Sequence, residues 1–339
     1  MNGILNGITQ SVRRLHGSFR PGPWLILIVV LCAWPLVAAN YYQIHIVNVI
    51  FMNILLCTGL NIVKGFCGQV TVGHFGLYGI GAYASALIAI HLGYPFWVAL
   101  PLAMMITGVA GAFVALPSFR LEGAYLALVT LGFGESVRII ISATDVLGKT
   151  FGISEIPYPQ IGDFLFDTPA RIYYIIMPIS IFGIYLSMNI LDSSVGRAFK
   201  AVRDDPISAA TSGVHVKRYK LLAFVISAFY AGCAGSLYAH LVTFVHPENF
   251  NLMIMVMLLL MVVLGGLGHI WGGVIGAILV TLIYDWTRPY PEYQMMMFGM
   301  SAVLIVMYMP KGIGGLLDRF LATRRFIKIR TSKADVASD

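Results

Sequence analysis

Charged residues are scarce in this chain. Asp, Glu, Lys and Arg make up only 11% of its 339 residues, whereas an ordinary soluble domain carries about 25%. Hydrophobic residues make up 58% and form runs that are too long and too numerous for one buried core. The composition therefore excludes a soluble globular protein and predicts an all-α, polytopic bundle of transmembrane helices.

Cysteine is scarce too, and the four cysteines fall inside apolar runs. They are Cys32, Cys57, Cys67 and Cys233. Such positions are typical of small core residues, so we expect neither a disulfide framework nor a metal site. The net charge of +7 does not suggest nucleic acid, because the basic residues lie in loops and tails, as orientation signals do.

Motifs for nucleotide binding and catalysis are lacking. Gly148, Lys149 and Thr150 resemble the end of a phosphate-binding loop, but Ala143 stands where that motif needs a glycine. No Ser/His/Asp set, carboxylate pair or Cys/His zinc pattern occurs in a polar loop large enough for an active site. We therefore expect no catalytic residues and no ATPase in this chain.

The apolar runs predict about ten spans of roughly 20 residues each. Their approximate bounds are 24–39, 45–63, 68–91, 95–116, 124–142, 172–191, 219–242, 252–267, 270–286 and 293–309. A polar tail, residues 1–23, precedes the transmembrane region 24–310, and a basic tail, residues 311–339, follows it. The main polar connections are the loops at about 143–171 and 192–218.

The basic residues predict the orientation of these spans. With the N-terminus inside, eighteen Lys or Arg residues fall on the inner side, and three fall on the outer side, namely Lys149, Arg171 and Arg288. Since cytoplasmic loops carry an excess of Lys and Arg, we expect both termini in the cytoplasm. The 143–171 loop then lies outside, where it is either a solvated cap or a cover for a pore or a docking site.

The polar stretch from Leu191 to Lys220 carries signals for a short helix. Asp204 or Asp205 can cap the N-terminus of this helix, the proline after them suits the first helical position, and a glycine farther on can end the helix in a left-handed conformation. The predicted core of this helix is Asp204, Asp205, Pro206, Ala209, Ala210 and Gly213. Six basic residues flank it, namely Arg197, Lys200, Arg203, Lys217, Arg218 and Lys220. We interpret it as a cytoplasmic coupling helix that connects the membrane part to a soluble motor on another chain.

Glycine is plentiful in two segments, residues 68–81 and 265–276. Small residues four apart let helix backbones pack closely, and glycines also break helices that line a transport path. Both interpretations stay open for the candidate pathway residues Gly68, Gly73, His74, Gly76, Gly268, Gly272 and Gly276. His74 has no second histidine at a metal-like spacing, which favours a hydrogen-bonded packing residue over a metal ligand.

Two ionisable residues, Glu135 and Arg138, lie within the fifth predicted span. Charges at membrane depth are costly, so each needs a partner or a function. Residues three apart share one helix face, and we expect these two to pair. The pair is either a structural lock between helices or a gate that faces a watery path.

Four segments carry a resemblance. They are GRAFKAVRDDPISAATSGVHVKRYKLLAFVISAFYAGCAGSLYA from Gly196, CGQVTVGHFGLYGIGAYASALI from Cys67, RLEGAYLALVTLGFGESVRI from Arg120 and GGLGHIWGGVIGAILV from Gly265. Together they cover most of residues 45–310 and resemble the membrane permease subunits of high-affinity branched-chain amino acid ABC importers. The pattern is closest to the longer of the two permease types of that family.

The resemblance implies a multi-pass permease in the bacterial inner membrane, with a set of partners. These are a second, homologous permease, two ATP-binding subunits that carry ATP and Mg, and a periplasmic substrate-binding protein. In such importers, closure of the ATPases pushes on the coupling helix of each permease and switches access to the pathway. The resemblance implies this role for the helix that contains Pro206 and Ala209.

The resemblance is incomplete at the coupling helix. Many importers carry Glu-Ala-Ala followed by Gly there, but Ser208 occupies the acidic position, and Gly213 follows Ala210 by three residues instead of four. Lys149 is a second departure, in the outer loop. The family serves branched-chain amino acids, but also urea, short amides and aromatic acids, and its selectivity is expected to rest mainly on the binding protein.

Three alternatives to an amino acid importer stay open from the sequence. The first is a permease of the same architecture for urea, a short amide or another small solute. The second is a stand-alone secondary transporter driven by an ion gradient, in which Glu135 relays a proton or sodium ion. The third is a structural or assembly protein of the membrane.

Overall fold

The computed structural model describes residues 31, 32, 34, 35, 40–308 and 312–315. The chain divides into two units, residues 1–44 and residues 45–339, and the account below concerns the larger one. The predicted first span, 24–39, and the predicted tails, 1–23 and 311–339, lie mostly or entirely outside the described residues.

The described chain is built almost entirely from helices. They are α1 (Tyr41–Asn61), α2 (His74–His91), α3 (Phe96–Ala115), α4 (Gly123–Ala143), α5 (Pro169–Asp192), α6 (Ser194–Asp204), α7 (Pro206–Thr211), α8 (Val216–Val242), α9 (Leu252–Gly265), α10 (Ile270–Thr287) and α11 (Pro291–Tyr308). A π-helical turn, Ile62–Phe66, extends α1. Short 3₁₀ turns lie at Pro117–Phe119, Asp145–Leu147, Lys149–Phe151 and Pro247–Asn249. Strands β1 (Gln160–Ile161) and β2 (Phe164–Leu165) pair antiparallel, with Gln160 opposite Leu165.

Seven helical segments of the described chain are long and apolar enough to cross a membrane. They are Tyr41–Phe66, Phe96–Phe119, Gly123–Ala143, Pro169–Asp192, Val216–Val242, Pro247–Gly265 and Ile270–Thr287. In lipid, a helix satisfies its own backbone hydrogen bonds, which is why apolar runs of this length fold as helices. The predicted all-α, polytopic class is confirmed, whereas the ten spans and the location of both termini stay predictions.

Helix α8 forms the centre of the bundle and packs against both α2 and α3. Its contact face carries small residues, which let neighbouring backbones approach closely. A Cβ atom on Gly81 of α2 would lie 2.5 Å from Cα of Gly232 in α8, so neither position accepts a larger residue without moving a helix. On the α3 side, a Cβ atom added to Gly232 would lie 2.9 Å from Cβ of Thr107.

The loop between α4 and α5 is fastened to the end of α8. Ile153 and Val245 pair in an isolated antiparallel bridge, with N–H···O distances of 2.8 and 2.9 Å. The buried ring of His240 forms a 2.8 Å hydrogen bond between Nδ1 and the carbonyl oxygen of Pro157. We call this side of the bundle the hairpin end, because it carries β1 and β2, and we call the opposite side the α6–α7 end.

The third predicted span, 68–91, begins too early. The helix starts at His74, and residues 67–73 form an irregular segment between the π-helical turn and α2. Gly68 has a φ angle of +73°, which ends the helical path. Hydropathy does not reveal this break, because the segment carries no charged residue and continues directly into the apolar run of α2.

The polar stretch at 192–218 also differs from its prediction. A single short helix was expected there, but the structure contains two, α6 and α7. Helix α6 is amphipathic and buries Phe199 and Val202, so it belongs to the packed part of the protein and not to a flanking linker.

Glycines bring α9 and α10 together. A Cβ atom on Gly272 would collide with the carbonyl oxygen of Gly265, and one on Gly276 would collide with that of Met261. Close packing at these two positions is therefore confirmed. Gly268 does not belong to this helix face, because it lies in the turn between the helices with a φ angle of +79°.

Replacing Gly276 with Leu should separate α9 from α10 and destabilise the purified chain by at least about 3 kcal/mol, the upper end of the usual cost of overpacking. Thermal unfolding in detergent measures this change. The matched control is Gly132→Leu in α4, since an added Cβ there meets nothing within 4 Å among the described residues. Equal unfolding temperatures for the two variants would contradict the close contact between Gly276 of α10 and the backbone of α9.

Candidate functional site

Helix α7 begins at a complete N-terminal cap. The side chain of Asp205 accepts a 2.9 Å hydrogen bond from the Ile207 N–H and a 2.5 Å bond from the Ser208 hydroxyl. Pro206 occupies the first helical position, where no N–H is needed. The hydrogen bond from the Ser208 hydroxyl, followed by the backbone N–H groups of Ile207 and Ser208, lowers the pKa of Asp205. The predicted capping by an aspartate is confirmed for Asp205.

The other end of α7 closes with a left-handed residue, as the sequence predicts. Gly213 has a φ angle of +85°. Its N–H donates to the carbonyl of Ala210 at 3.1 Å, and the N–H of Val214 donates to that of Ala209 at 3.0 Å. This pair of bonds is the Schellman arrangement, which satisfies carbonyls that the end of a helix would otherwise leave free.

The two faces of α7 differ in exposure. Ala209 is buried against the protein, whereas Ala210 is exposed and the side chain of Ile207 is 77% exposed. Ile207 is therefore an apolar side chain exposed to solvent on a short helix that is capped at both ends.

Arg203 connects α6 to the end of α1. Its Nη1 atom donates a 3.1 Å hydrogen bond to the carbonyl oxygen of Gly65, in the π-helical turn. Its Nε and Nη2 atoms each lie 3.0 Å from Oδ1 of Asp204. Asp204 therefore holds the guanidinium of Arg203 and does not cap α7, which corrects one of the two predicted capping options.

Two of the predicted pathway glycines lie directly against Arg203. A Cβ atom on Gly68 would lie 2.8 Å from Cγ of Arg203, and one on Gly268 would lie 3.1 Å from its Nη1. Both glycines have positive φ angles, so they form the two irregular turns between which the arginine side chain lies. The two glycine-rich segments of the sequence thus meet at one side chain.

Asn61, the last residue of α1, bonds to the turn between α9 and α10. Its Oδ1 atom accepts a 3.0 Å bond from the Gly268 N–H, and its Nδ2 atom donates a 3.0 Å bond to the carbonyl of His269. The residue is 2% exposed. We call the group Asn61, Gly65, Gly68, Arg203 and Gly268 the Arg203 junction.

The irregular segment 67–73 continues from this junction into the bundle. The Val72 N–H donates to Oγ1 of Thr130 at 3.0 Å, and the Gln69 N–H donates to the carbonyl of Val63 at 3.0 Å. These bonds replace part of the backbone pairing that a helix would supply. Gln69 and Thr71 are also buried, so the segment places polar side chains inside the bundle.

The remaining predicted residues near the start of α2 pack against α4 and α8. Gly73 faces the carbonyl of Thr130, and a Cβ atom on Gly76 would lie 2.7 Å from Cα of Gly134. The buried ring of His74 places Nδ1 3.4 Å from Oγ of Ser227 in α8. The three residues lie at helix contacts, and their assignment to a transport path stays a prediction.

Glu135 and Arg138 pair as predicted, with 2.9 Å between Oε2 and Nε. A third residue, Glu248, joins them through a 2.6 Å bond from Nη1 of Arg138 to its Oε1. The cluster links α4 to the turn before α9 at the hairpin end, and all three side chains are partly exposed. It fastens two elements there, and its role as a gate stays a prediction.

Lys220, one of the six basic residues that flank α7 in the sequence, is buried. Its side chain is 4% exposed and lies in α8. It bonds to Glu122 at 2.8 Å and to the carbonyl of Ser118 at 3.2 Å. The lysine therefore fixes the start of α8 to the start of α4. Within the described part of the chain, no group of three or more metal-ligating residues occurs.

Sequence reasoning missed Asn61, Gly65 and Glu248, and it treated Arg203 only as part of a basic flank. An asparagine inside an apolar run, as at Asn61, is a usable signal, because a buried amide needs partners. Gly65, Glu248 and Arg203 offer no such signal, because their importance comes only from contacts between distant parts of the chain.

Asn61→Ala should loosen the turn at Gly268, because two buried backbone groups lose their partners. We expect the Gly268 amide to exchange hydrogen at least about tenfold faster, since an unpaired buried group costs roughly 1–3 kcal/mol. Hydrogen exchange of the purified chain measures this. Asn53→Ala is the control, because Asn53 lies in the same helix but bonds to Thr281. An unchanged exchange rate of the Gly268 amide in the Asn61→Ala variant would contradict the hydrogen bond between Gly268 and Asn61.

Known proteins are similar to this chain over the whole candidate site. The family described as branched-chain amino acid transport system / permease component matches residues 42–307. The permease protein LivM of the high-affinity branched-chain amino acid transport system of Salmonella typhimurium is 33% identical, over 91% of this chain and 77% of the relative. LivM of Escherichia coli is 35% identical, over 85% and 73%. LivH of Escherichia coli, a permease protein of the same kind of system, is 24% identical, over 77% and 90%. No solved structure gives a significant match.

Proposed function

The chain belongs to the branched-chain amino acid transport permease family, and from this we propose that it is the membrane permease subunit of an ATP-driven importer. Its relatives are named as transport permeases, so it is a multi-pass transport subunit and not an enzyme. The cargo is a branched-chain or related hydrophobic amino acid, which a periplasmic binding protein delivers. LivM of Escherichia coli is more similar to this chain than LivH is, which supports the longer permease type.

The observation that carries this proposal is the connection from α7 to the broken helices of the membrane part. Helix α7 presents Ile207 and Ala210 to solvent, and the preceding helix α6 packs into the protein. Arg203 of α6 bonds to the turn that ends α1. A push on α7 therefore reaches the turns at Gly65 and Gly268 through packed and hydrogen-bonded groups. This arrangement suits a helix that converts ATPase closure into movement of membrane helices.

The proposed orientation places the α6–α7 end in the cytoplasm. Arg197, Lys200, Lys217 and Arg218 are exposed at this end, in agreement with the positive-inside rule. The seven apolar segments, α2, α11 and the predicted span 24–39 supply ten crossings. Both termini are then cytoplasmic, and the membrane is the bacterial inner membrane.

The proposed partners follow from the family. A second, homologous permease pairs with this chain in the membrane, and two ATP-binding subunits carry ATP and Mg below α7. The similarity of the chain to both LivM and LivH of Escherichia coli supports a pair of related permeases. Helix α4 exposes Tyr125, Leu128 and Ile139, and it is the least buried of the seven apolar segments, which suits a seam with the partner or with lipid.

The proposed pathway runs beside the irregular segment 67–73. Non-helical backbone at membrane depth is tolerated where protein buries it or where it borders a water-filled cavity. Gly73, His74 and Gly76 begin α2 at this point, and Gly68 and Gly268 lie at its α6–α7 end. Glu135, Arg138 and Glu248 form a charged group at the hairpin end, where a substrate delivered from outside would enter.

Ile207→Asp should abolish coupling, because a charge replaces the most exposed apolar contact of α7 without affecting its caps. In proteoliposomes that contain the full complex, we expect ATP-dependent L-leucine uptake to fall at least about tenfold, the effect of losing roughly 1.4 kcal/mol of contact. The control is Val146→Asp, an exposed apolar residue at the hairpin end. Uptake by the chain without ATP-binding subunits would instead favour the ion-coupled transporter.

Arg203→Ala should uncouple ATP hydrolysis from uptake. The ATP-binding subunits should still co-purify, because α7 keeps its caps, but uptake should fall about 10- to 100-fold, since hydrogen bonds to charged groups contribute roughly 1.5–3 kcal/mol. The matched control is Arg197→Ala in the same helix, whose guanidinium bonds only to the carbonyl of Asp192 among the described residues. Equal uptake by the two variants would contradict transmission through Arg203.

A further inference from the structure

A cavity of about 300 Å³ lies beside the Arg203 junction, between the end of α5, α6 and the start of α10. Ligand pockets in proteins usually measure roughly 300–1,000 Å³, so this one suits a small metabolite and is too small for a nucleotide. It lies at the α6–α7 end, where α6 contributes Lys200 to its wall.

The wall of the cavity is mostly apolar. Met188 and Leu191 come from α5, Phe66 comes from the π-helical turn, and Ile270 and Trp271 begin α10. Aliphatic and aromatic side chains of this kind bind a small apolar group by removing it from water. The lining therefore favours a ligand with an aliphatic side chain.

Two charged residues of opposite sign, Asp192 and Lys200, also line the cavity, together with His269 and the glycines at 268, 272 and 314. Within the described ranges, neither side chain forms a salt bridge. The Lys200 ammonium lies 5.9 Å from the centroid of the Phe66 ring, another residue of the cavity wall. One carboxylate and one ammonium beside an apolar surface match the charges of a zwitterion.

We propose that this cavity binds a free amino acid with an aliphatic side chain on the cytoplasmic side. Lys200 binds the carboxylate of the ligand, Asp192 binds its ammonium group, and Leu191 and Trp271 surround its side chain. The carboxylate of Asp192 argues against an anionic lipid headgroup as the occupant, because like charges repel.

Because of the position of the cavity, a bound ligand would affect transport. Gly268 and Phe66 line the cavity, and they belong to the two turns that Arg203 and Asn61 hold. A bound ligand fills the space between α6 and these turns, so it opposes the movement that α7 transmits. The imported amino acid would thereby limit its own uptake, an inference that rests on the proposed function and orientation.

The test uses the complete transporter, this chain with its partner permease and ATP-binding subunits, in proteoliposomes supplied with the binding protein outside and ATP inside. The probe is L-leucine loaded inside at increasing concentration, and the initial rate of labelled L-leucine uptake is measured. Each variant is normalised to its own rate without internal L-leucine. We expect internal L-leucine to inhibit the wild-type transporter.

Asp192→Asn and Lys200→Gln should each raise the internal concentration for half-inhibition about 10- to 100-fold, because each removes one charged hydrogen-bond partner of the ligand. Lys217→Gln is the matched control, an exposed lysine of the same end that does not line the cavity, and it should behave as wild type. Internal 4-methylpentanoate, which lacks the ammonium group, and 3-methylbutylamine, which lacks the carboxylate, should inhibit at least about tenfold more weakly.

The outcomes separate this inference from the proposed function. Uptake that internal L-leucine does not inhibit, or inhibition that all three variants share, would overturn the cavity assignment while leaving the importer intact. Inhibition that follows the anionic lipid content of the vesicles instead of internal L-leucine would overturn it as well. Absence of ATP-dependent uptake in the wild type would overturn the proposed function and this inference with it.

Discussion

Backbone groups that leave a helix within a bilayer must find partners in the protein, since lipid supplies none. The structure meets this requirement at two breaks, the segment after α1 and the turn between α9 and α10. The Asn61 amide bridges Gly268 and His269 in the second break, and Arg203 binds the Gly65 carbonyl in the first. Because α6 supplies the arginine, the peripheral helices α6 and α7 are tied to the irregular core of the membrane part.

Helix α8 gives these breaks a fixed frame. Its small residues let α2 and α3 approach to backbone contact, and its polar residues fasten it along its length. Lys220 binds Glu122 at one end, Ser227 lies beside His74 in the middle, and His240 binds the Pro157 carbonyl at the other end. Helix α8 thus connects both ends of the bundle as one continuous helix.

Local features were predictable from the sequence, and long-range contacts were not. The cap at Asp205, the left-handed Gly213 and the Glu135–Arg138 pair depend on neighbours within a few residues, so residue type and spacing suffice. Arg203 and Gly65 are 138 positions apart, and Asn61 and Gly268 are 207 apart. The start of α2 was misplaced for a related reason, since hydropathy does not distinguish a buried irregular segment from a helix.

Helix α7 has six residues, far fewer than the roughly 12–15 that an isolated helix needs to persist in water. Its shape therefore comes from the Asp205 cap, the Gly213 closure and the burial of Ala209. A protein that docks on it meets a surface that is already folded. Ordering a residue costs about 1–2 kcal/mol of conformational entropy, and here that cost is met during folding of the chain. Docking at α7 consequently does not require the slow ordering of a disordered segment.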